Sequence, residues 1–383
     1  MERVAIVGVG QTRHEAKKVY DGFPDMVYQS VTMALEDAGM TIDQVDNVIT
    51  TSNDFWDGRT ISSMATGDAS GAPGKNVSCV EGDGTFGAFY GMTRILSGSY
   101  GTTLVTAYSK GSESESYMIT NAAFDPIYMR CLGLDMVTAC ALQARKYMKR
   151  YGITEEQMAA ISVKNHGNAL HNPNAHLGMK ITVEDVMKSR KIAEPLKLLD
   201  CSPVSDGAAC IILANEERAM KITDKPVWVN GVSYCADAYL LGDRDLAESK
   251  ALEKAAQKAY SMAGISDPRK QIDVAELYDA FTYQESMWIE GLGLCGPGEG
   301  GELAASGATA REGELPVNPS GGLMGAHPAI AGGMIRMVEA VRQVRGEAGD
   351  MQVSKDVDIA LAHGVNGVCG QSHCVWILGR NPN

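Results

Sequence analysis

The stretch that decides the fold is VSCVEGDGTFGAFYG, residues 77–91. Its first residues form an apolar run that predicts a buried strand, the glycines around Asp83 predict a tight turn, and the residues from Thr85 onward predict a helix. This arrangement points backbone N–H groups, and whatever side chain lies on the turn, into a pocket. In many enzymes that side chain is a Ser or Cys nucleophile, but here the turn carries Gly82, Asp83 and Gly84. The stretch therefore predicts the backbone of an active site without its usual nucleophile.

Strand and helix patterns alternate on both sides of this stretch. Further strands are predicted at residues 4–9, 45–50 and 103–108, and a further helix at 25–39. This alternation predicts an α/β layer with a mostly parallel sheet. A strand at 208–214 rejoins that layer, and a second α/β layer begins at Val227.

The region from 109 to 203 breaks the alternation. It predicts helices at about 135–151 and 154–170, the second capped by Thr154, and then a loop with a short helix. We expect a helical insertion that lies over one end of the sheet. The predicted division is an N-terminal half at 1–115, a helical covering segment at 116–205, a return strand and helix at 206–225, and a C-terminal half at 226–383.

The two layers share a short internal repeat. ALEDAGMTIDQVDNV (34–48) and AYSMAGISDPRKQIDVA (259–275) both contain A-x-x-x-A-G followed by an apolar–Asp pair that opens a strand. With the repeated strand–helix order, this match predicts a duplicated half. Two packed halves place their site at the seam between them.

Composition limits the partners and the compartment. The net charge of −13 argues against nucleic acid or an anionic membrane surface as a partner. No run approaches the roughly 18 apolar residues of a membrane-spanning helix. The nine cysteines include no CxxC pair, which predicts buried thiols in a reducing cytoplasm.

Three stretches carry residues suited to acid–base chemistry. NPSGGLMGAHPAIAGG (318–333) places His327 before a predicted helix, where a neutral imidazole would act as a base or donor. ELYDAF (276–281) delivers Tyr278 at the end of a buried strand, where α/β sites gather. LAHGVNGVCGQSHC (361–374) predicts a strand running into a loop that carries His363, Asn366 and Cys369.

The predicted turn itself supplies the other candidates. Asp83, and the helix N-terminus at Gly84, are suited to stabilising developing negative charge. Three further histidines, His166, His171 and His176, are predicted to be loop and surface residues without a metal site.

In order along the chain, the glycine turn, DCSPVSDGAACIILANEERA (200–219), ELYDAFT (276–282), LPVNPSGGLMGAHP (315–328) and LAHGVNG (361–367) resemble the thiolase superfamily, closest to its sterol-carrier and archaeal acetoacetyl-CoA branch. The resemblance implies a five-layer αβαβα fold of two duplicated halves, a homodimer, and a tunnel that binds coenzyme A as substrate under the helical insertion. It implies no metal in this chain. Residues 298–302 and 341–349 also resemble members that work with a small zinc-ribbon/OB-fold partner, and the benzoylsuccinyl-CoA thiolase subunit is a plausible relative.

Carried over by position, the resemblance changes the expected chemistry. In ordinary relatives a cysteine on the first turn takes the acyl group and a GHP histidine activates it. The cysteine position is Gly84 here, the oxyanion-hole position is Tyr278, and the last-loop position is Gly364 beside His363. Only His327 is retained, so an acyl-cysteine at that turn is excluded.

Several functions stay open at this point. Free coenzyme A could cleave a β-keto acyl-CoA directly by a retro-Claisen reaction, which the retained His327 favours. The alternatives are retro-aldol cleavage of a β-hydroxy acyl-CoA, a non-catalytic scaffold subunit, or Cys369 as a substitute nucleophile. We also expect Gly84 to leave space for a bulkier acyl group.

Overall fold

The computed structural model describes residues 2–59 and 61–383. The strands in these residues are β1 Val4–Gln11, β2 Asn47–Ser52, β3 Asn76–Glu81, β4 Thr102–Lys110, β5 Lys191–Ala193, β6 Leu196–Lys197, β7 Asp206–Asn215, β8 Val227–Ala236, β9 Val274–Glu276, β10 Ile359–Asn366 and β11 Ser372–Gly379. Over the same described residues, nine of them form one sheet in the order β3-β2-β4-β7-β1-β8-β11-β10-β9, and β5 pairs with β6.

Helices precede or follow most of these strands. They are α1 Phe23–Ala38, α2 Ser63–Ala69, α3 Gly84–Leu96, α4 Ser116–Ala122, α5 Met136–Tyr151, α6 Glu155–Ala169, α7 Val183–Lys188, α8 Glu216–Ile222, α9 Lys250–Ala263, α10 Pro268–Gln271, α11 Thr282–Gly291, α12 Gly300–Ala305, α13 Gly322–Gly325 and α14 Gly332–Arg345. None of the helices in the described ranges is long and apolar enough to cross a membrane.

The sheet consists of two halves with the same strand order. The order β2-β4-β7-β1 in the first half matches β9-β10-β11-β8 in the second. In each half one strand, β7 or β11, is antiparallel to its neighbours, so the sheet is less parallel than predicted. The helices α1 and α9 each end at the glycine of the repeat, Gly39 and Gly264, in the left-handed conformation. The predicted duplication is confirmed.

Three buried clusters separate the layers. On β1, Ala5 packs toward α1 while Ile6 packs toward the opposite face, as alternation along a strand requires. The cluster around Ile6 lies between the two halves and includes residues of α3 and α14. A third cluster packs α9 and the helices after β4 against the second half. Among the described residues, the two halves of the sheet are joined only where Ala5 and Ile6 of β1 pair with Trp228 and Val227 of β8, and each half forms its own layer. The layers are therefore helix, sheet, helices, sheet and helix, as predicted.

The chain between β4 and β7 forms α4 to α7 and the β5–β6 hairpin. The second long helix of this segment, α6, begins where the sequence predicts, because the hydroxyl of Thr154 accepts the N–H of Gln157 at 3.2 Å. α6 packs against α11, α12 and α13 of the second half. This segment thereby connects the two halves on the side where the site lies.

Three expectations about burial need correction. Strand β3 was expected to be buried, but it is the outermost strand and Val77 is 41% exposed. Cys79 and Cys131 are exposed rather than buried. His166 lies on α6, is fully buried and donates from Nδ1 to the carbonyl of Leu177 at 2.9 Å. An apolar or polar pattern predicts which residues share a face, but not whether another element covers that face.

Candidate active site

Two neighbouring cavities lie between the two halves of the chain and share part of their walls. The first, of about 480 Å³, is lined by the loops that follow β2, β3, β9 and β10. The second, of about 540 Å³, lies between the covering segment and residues 202–205. Trp56, Met136, Phe281 and His327 are in the walls of both. The carboxyl ends of strands from both halves thus converge on one site, as α/β folds generally arrange it.

Tyr278 and His327 form a hydrogen-bonded pair in the wall of the first cavity. Tyr278 follows β9, His327 follows α13, and Tyr278 Oη lies 2.8 Å from His327 Nε2. Tyr278 Oη is also 3.0 Å from the carbonyl oxygen of Ala329. The structure therefore brings together two side chains that are 49 residues apart in the sequence.

Burial sets the protonation of this pair. Burial, and after it the charge of Arg336, lowers the pKa of His327 to about 3. Burial, and after it the Asp83 carboxylate, holds the pKa of Tyr278 well above its usual value. At neutral pH the pair is thus a neutral imidazole and a neutral phenol joined by a hydrogen bond.

Asp83 lies in the wall of the first cavity and caps two helices. Its carboxylate accepts N–H bonds from Thr85 at 2.9 Å and from Gly333 at 2.7 Å, at the beginnings of α3 and α14. Burial raises its pKa to about 6, against the lowering effect of these hydrogen bonds. The carboxylate therefore holds the two central helices together next to the pair.

Gly84 lies at the first position of α3, and the space above it is filled. A Cβ atom added there would be 2.6 Å from Met334 Cβ and 2.9 Å from Ala107 Cβ. The expectation that Gly84 leaves space for a bulkier acyl group is therefore wrong. The room in this site lies instead in the cavities beside Tyr278 and His327.

Asn366 ends β10 and also lines the first cavity. Its amide packs closely against Gly82, whose φ of 122° is a conformation that favours glycine. A Cβ atom at Gly82 would lie 3.0 Å from Asn366 Nδ2. Asn366 thus lies in the same cavity wall as Tyr278, His327 and Asp83.

His363 does not join them. It lies within β10 rather than in a loop, is fully buried, and its Nε2 is 2.9 Å from His373 Nδ1. Neither cavity wall includes it. The rings of Trp288 and His373 pack against it, and a prediction from sequence position alone could not show that these side chains cover it.

Cys369 is in the wall of the first cavity, as a substitute nucleophile would need to be. It has a φ of 53°, and its sulfur lies 3.8 Å from that of Cys140. Burial raises the pKa of its thiol well above the usual value. Because the thiolate is the nucleophile, this environment is unfavourable for acyl transfer to Cys369.

Residues 202–205, for which the sequence predicted no role, hold His327. Ser202 Oγ lies 2.8 Å from His327 Nδ1, and the backbone N–H of His327 donates to Ser205 Oγ at 2.8 Å. Both serines belong to the CSPVSDG run, which carried the resemblance but no chemistry. Among the described residues no group of three or more His, Cys, Asp or Glu could hold a metal ion.

Two family models match the chain. The model for the thiolase N-terminal domain matches residues 4–217, and the one for a thiolase C-terminal domain-like region matches residues 234–380. The chain belongs to the thiolase family. The layers described above are the five-layer thiolase fold, and this thiolase-family chain has glycine at the first turn of α3.

Individual relatives agree with this assignment. An acetyl-CoA acetyltransferase of Methanothermobacter thermautotrophicus is 35% identical over 99% of this chain and 100% of its own length. Benzoylsuccinyl-CoA thiolase subunit BbsB of Thauera aromatica is 34% identical over 62% of each chain. The solved Ltp2-ChsH2(DUF35) aldolase superposes with a TM-score of 0.84 at 27% identity, covering 98% of this thiolase-family chain and 97% of that one.

Proposed function

We propose that this protein cleaves or forms a carbon–carbon bond beside the thioester of an acyl-CoA without a covalent acyl-enzyme. The observation that carries the proposal is the Tyr278–His327 pair at the junction of the two cavities, with Met334 packed over Gly84. The second cavity, under the covering segment, would take the pantetheine arm of coenzyme A. The first would take the acyl group.

The retro-aldol reaction, an alternative from the sequence, fits this site better than the retro-Claisen reaction. A thiolase with a nucleophilic cysteine can bind its two coenzyme A molecules one after the other, because the acyl group stays covalently bound to the cysteine between the two steps. Without that cysteine, a β-keto acyl-CoA and a second coenzyme A must be present at the same carbon together. A β-hydroxy acyl-CoA needs one coenzyme A only. The similarity to a solved aldolase supports this order.

Each step of the retro-aldol reaction can be assigned to side chains of this chain. Tyr278 Oη takes the proton of the β-hydroxyl while its own proton passes to His327 Nε2. The electron pair of the Cα–Cβ bond moves to Cα, giving a carbonyl product and a thioester enolate. The Asn366 amide would stabilise the enolate oxygen. The same proton returns through Tyr278 to Cα, which leaves the enzyme unchanged.

The retro-Claisen reaction remains the second candidate. The observation that favours it is the 35% identity to an acetyl-CoA acetyltransferase along the whole chain. In that reaction free coenzyme A thiolate attacks the β-keto carbon, and the same enolate leaves. The two reactions therefore share the pair and differ in whether coenzyme A is consumed.

The test supplies β-hydroxy and β-keto acyl-CoA substrates and measures free coenzyme A and the carbonyl product. We expect a carbonyl product without consumption of coenzyme A. Tyr278→Phe and His327→Asn should each lower kcat at least about 100-fold, the usual contribution of a general acid–base group. Tyr260→Phe is the matched control, because its hydroxyl bonds the carbonyl of Leu292 at 2.7 Å, outside both cavities.

Other results would decide between the remaining functions. Consumption of one coenzyme A per cleavage would establish the retro-Claisen reaction instead. Turnover that survives both substitutions would overturn the proposed site. No turnover of either substrate class by the assembled protein would favour the scaffold role.

We also propose a homodimer that associates with a small zinc-ribbon/OB-fold protein. Among the described residues no strand pairs with the outer edge of β3, and the covering segment exposes large apolar side chains at Tyr117, Met118, Ile127, Tyr128 and Leu132. The solved aldolase that resembles this chain has ChsH2(DUF35) in its name beside Ltp2. Sedimentation of the purified chain should give twice its mass, and Val77→Lys on β3 should give the monomer. Zinc analysis of the complex isolated from its source would test the second partner.

A further inference from the structure

Hydroxyl groups hold both ring nitrogens of His327. Ser202 Oγ lies 2.8 Å from Nδ1, and Tyr278 Oη lies 2.8 Å from Nε2. We propose that Ser202 is a positioning residue whose oxygen makes possible the proton arrangement in which His327 can receive a proton from Tyr278. This inference rests on the proposed function for its catalytic consequence, but the arrangement itself can be measured without substrate.

The segment that carries Ser202 is fixed to both partners of the pair. The N–H of Ser202 donates to the carbonyl of Ala280 at 2.9 Å, two residues beyond Tyr278. Ser205 Oγ accepts the N–H of His327 at 2.8 Å and lies 2.7 Å from His176 Nε2. Since Ser205 Oγ accepts one bond, its own proton is free to go to His176. The backbone and the ring of His327 are therefore held by one short segment.

Two proton arrangements satisfy these distances. In the first, Nδ1–H of His327 donates to Ser202 Oγ, and Nε2 accepts the proton of Tyr278. In the second, Ser202 Oγ–H donates to Nδ1, Nε2–H donates to Tyr278 Oη, and the Tyr278 proton goes to the carbonyl of Ala329 at 3.0 Å. A neutral imidazole has one N–H, so the two arrangements exclude each other.

Only the first arrangement supports proton transfer from substrate. There Nε2 has a free lone pair facing Tyr278, so Tyr278 can release its proton as it takes another from the substrate hydroxyl. The resulting imidazolium keeps its Nδ1–H bonded to the oxygen of Ser202. Without that oxygen, a buried Nδ1–H has no partner, which is costly. The proton would then remain on Nε2, in the arrangement that turns Tyr278 toward Ala329.

The first measurement is the tautomer of His327 in the ligand-free protein at pH 7. Nitrogen-15 NMR of histidine-labelled protein distinguishes a protonated Nδ1 from a protonated Nε2, and His327→Asn identifies the signal. We expect Nδ1–H in the wild type and in Ser202→Thr, which keeps the hydroxyl. Ser202→Ala should change the major form to Nε2–H.

The second measurement is turnover by the same proteins. Ser202→Ala should lower kcat about 10- to 100-fold, as loss of a partner that orients a functional histidine does, with KM within about threefold. Ser202→Thr should restore most of kcat. Ser30→Ala is the matched control, since Ser30 is a buried serine of α1 whose hydroxyl donates to the carbonyl of Val27 at 2.9 Å, outside both cavities.

The two measurements can contradict the role of Ser202 and the role of His327 independently of each other. A wild-type tautomer in Ser202→Ala would overturn the inference, whatever the turnover. A changed tautomer with unchanged turnover would support the positioning by Ser202 and overturn the catalytic role given to His327 in the proposed function.

Discussion

At Gly84, side chains from distant parts of the sequence fill the space that a side chain at this position would occupy. Met334 of α14 and Ala107 of β4 occupy the space where a side chain at this turn would project. The cavities, by contrast, lie beside the turn. The glycine at this position therefore permits the packing of Met334 and Ala107, and it is the proposed function that gives acid–base chemistry to Tyr278 and His327.

This packing makes a prediction for Gly84→Ala. The added methyl group must displace Met334 or Ala107, so the free energy of unfolding should fall by about 1–3 kcal/mol, as in other overpacked cores. Urea denaturation measures it. Gly67→Ala on α2 is the control, because nothing lies within 4 Å of an added Cβ there. That control should gain up to about 1 kcal/mol from better helix propensity, and equal stability of both variants would contradict the packing.

At the scale of elements, the central layer depends on caps. Asp83 accepts N–H groups at the beginnings of α3 and α14, which belong to different halves. The cap of α6 by Thr154 was readable from sequence because donor and acceptor are three residues apart. The contact between Asp83 and Gly333 joins residues 250 apart, and no local pattern encodes it.

The double cap predicts a larger loss than a single one. Asp83→Ala should lower the free energy of unfolding by about 2–4 kcal/mol, because each lost cap costs about 0.5–2 kcal/mol and both ends are buried. Asp135→Ala, which uncaps α5 alone, should lose about 1 kcal/mol. Thermal or urea unfolding of the two variants compares them, and equal losses would show that the second helix does not depend on Asp83.

At the scale of the whole molecule, several buried histidines make the folded chain less stable in acid. Burial lowers the pKa of His14, His327 and His373 to about 3, and that of His363 well below its usual value. Each stays neutral in the folded chain while the unfolded chain takes up a proton near pH 6.5. Their contribution to stability is thus complete above pH 6.5 and is lost as the pH falls. Asp83 and Glu276, with raised pKa values of about 6 and 7, act in the opposite direction.

A single substitution isolates one of these histidines. Between pH 6.5 and 5 each neutral buried histidine should cost about 2 kcal/mol of stability, from the proton that only the unfolded chain binds. His363→Asn should therefore lose about 2 kcal/mol less than the wild type over this interval, whatever its stability at pH 7. His171→Asn, at an exposed position, should follow the wild type. Parallel curves for all three proteins would contradict the neutral buried imidazole.

The sequence predicted the parts of the fold that local patterns determine. Most strands and helices, the duplication and the convergence of Tyr278, His327, Asp83 and Asn366 follow from periodicity and from the common edge of parallel strands. Which side chains cover each strand or helix could not be predicted in this way, because those side chains come from elements that are distant in the sequence. This is why His363 was expected in the site, β3 in the core, and Ser202 in no role.

In the proposed function, the position of His327 between the two cavities also has a consequence for selectivity. A substrate whose pantetheine arm enters one cavity and whose acyl group enters the other is held at both ends, with the reacting atoms at a fixed place between them. The site then selects substrates by the distance between the thioester sulfur and the reacting carbon, and it tolerates varied shapes in the part of the acyl group farther from the sulfur. Adding one methylene between the thioester and the oxygenated carbon would move the scissile bond past the imidazole, even though every recognised group is still present.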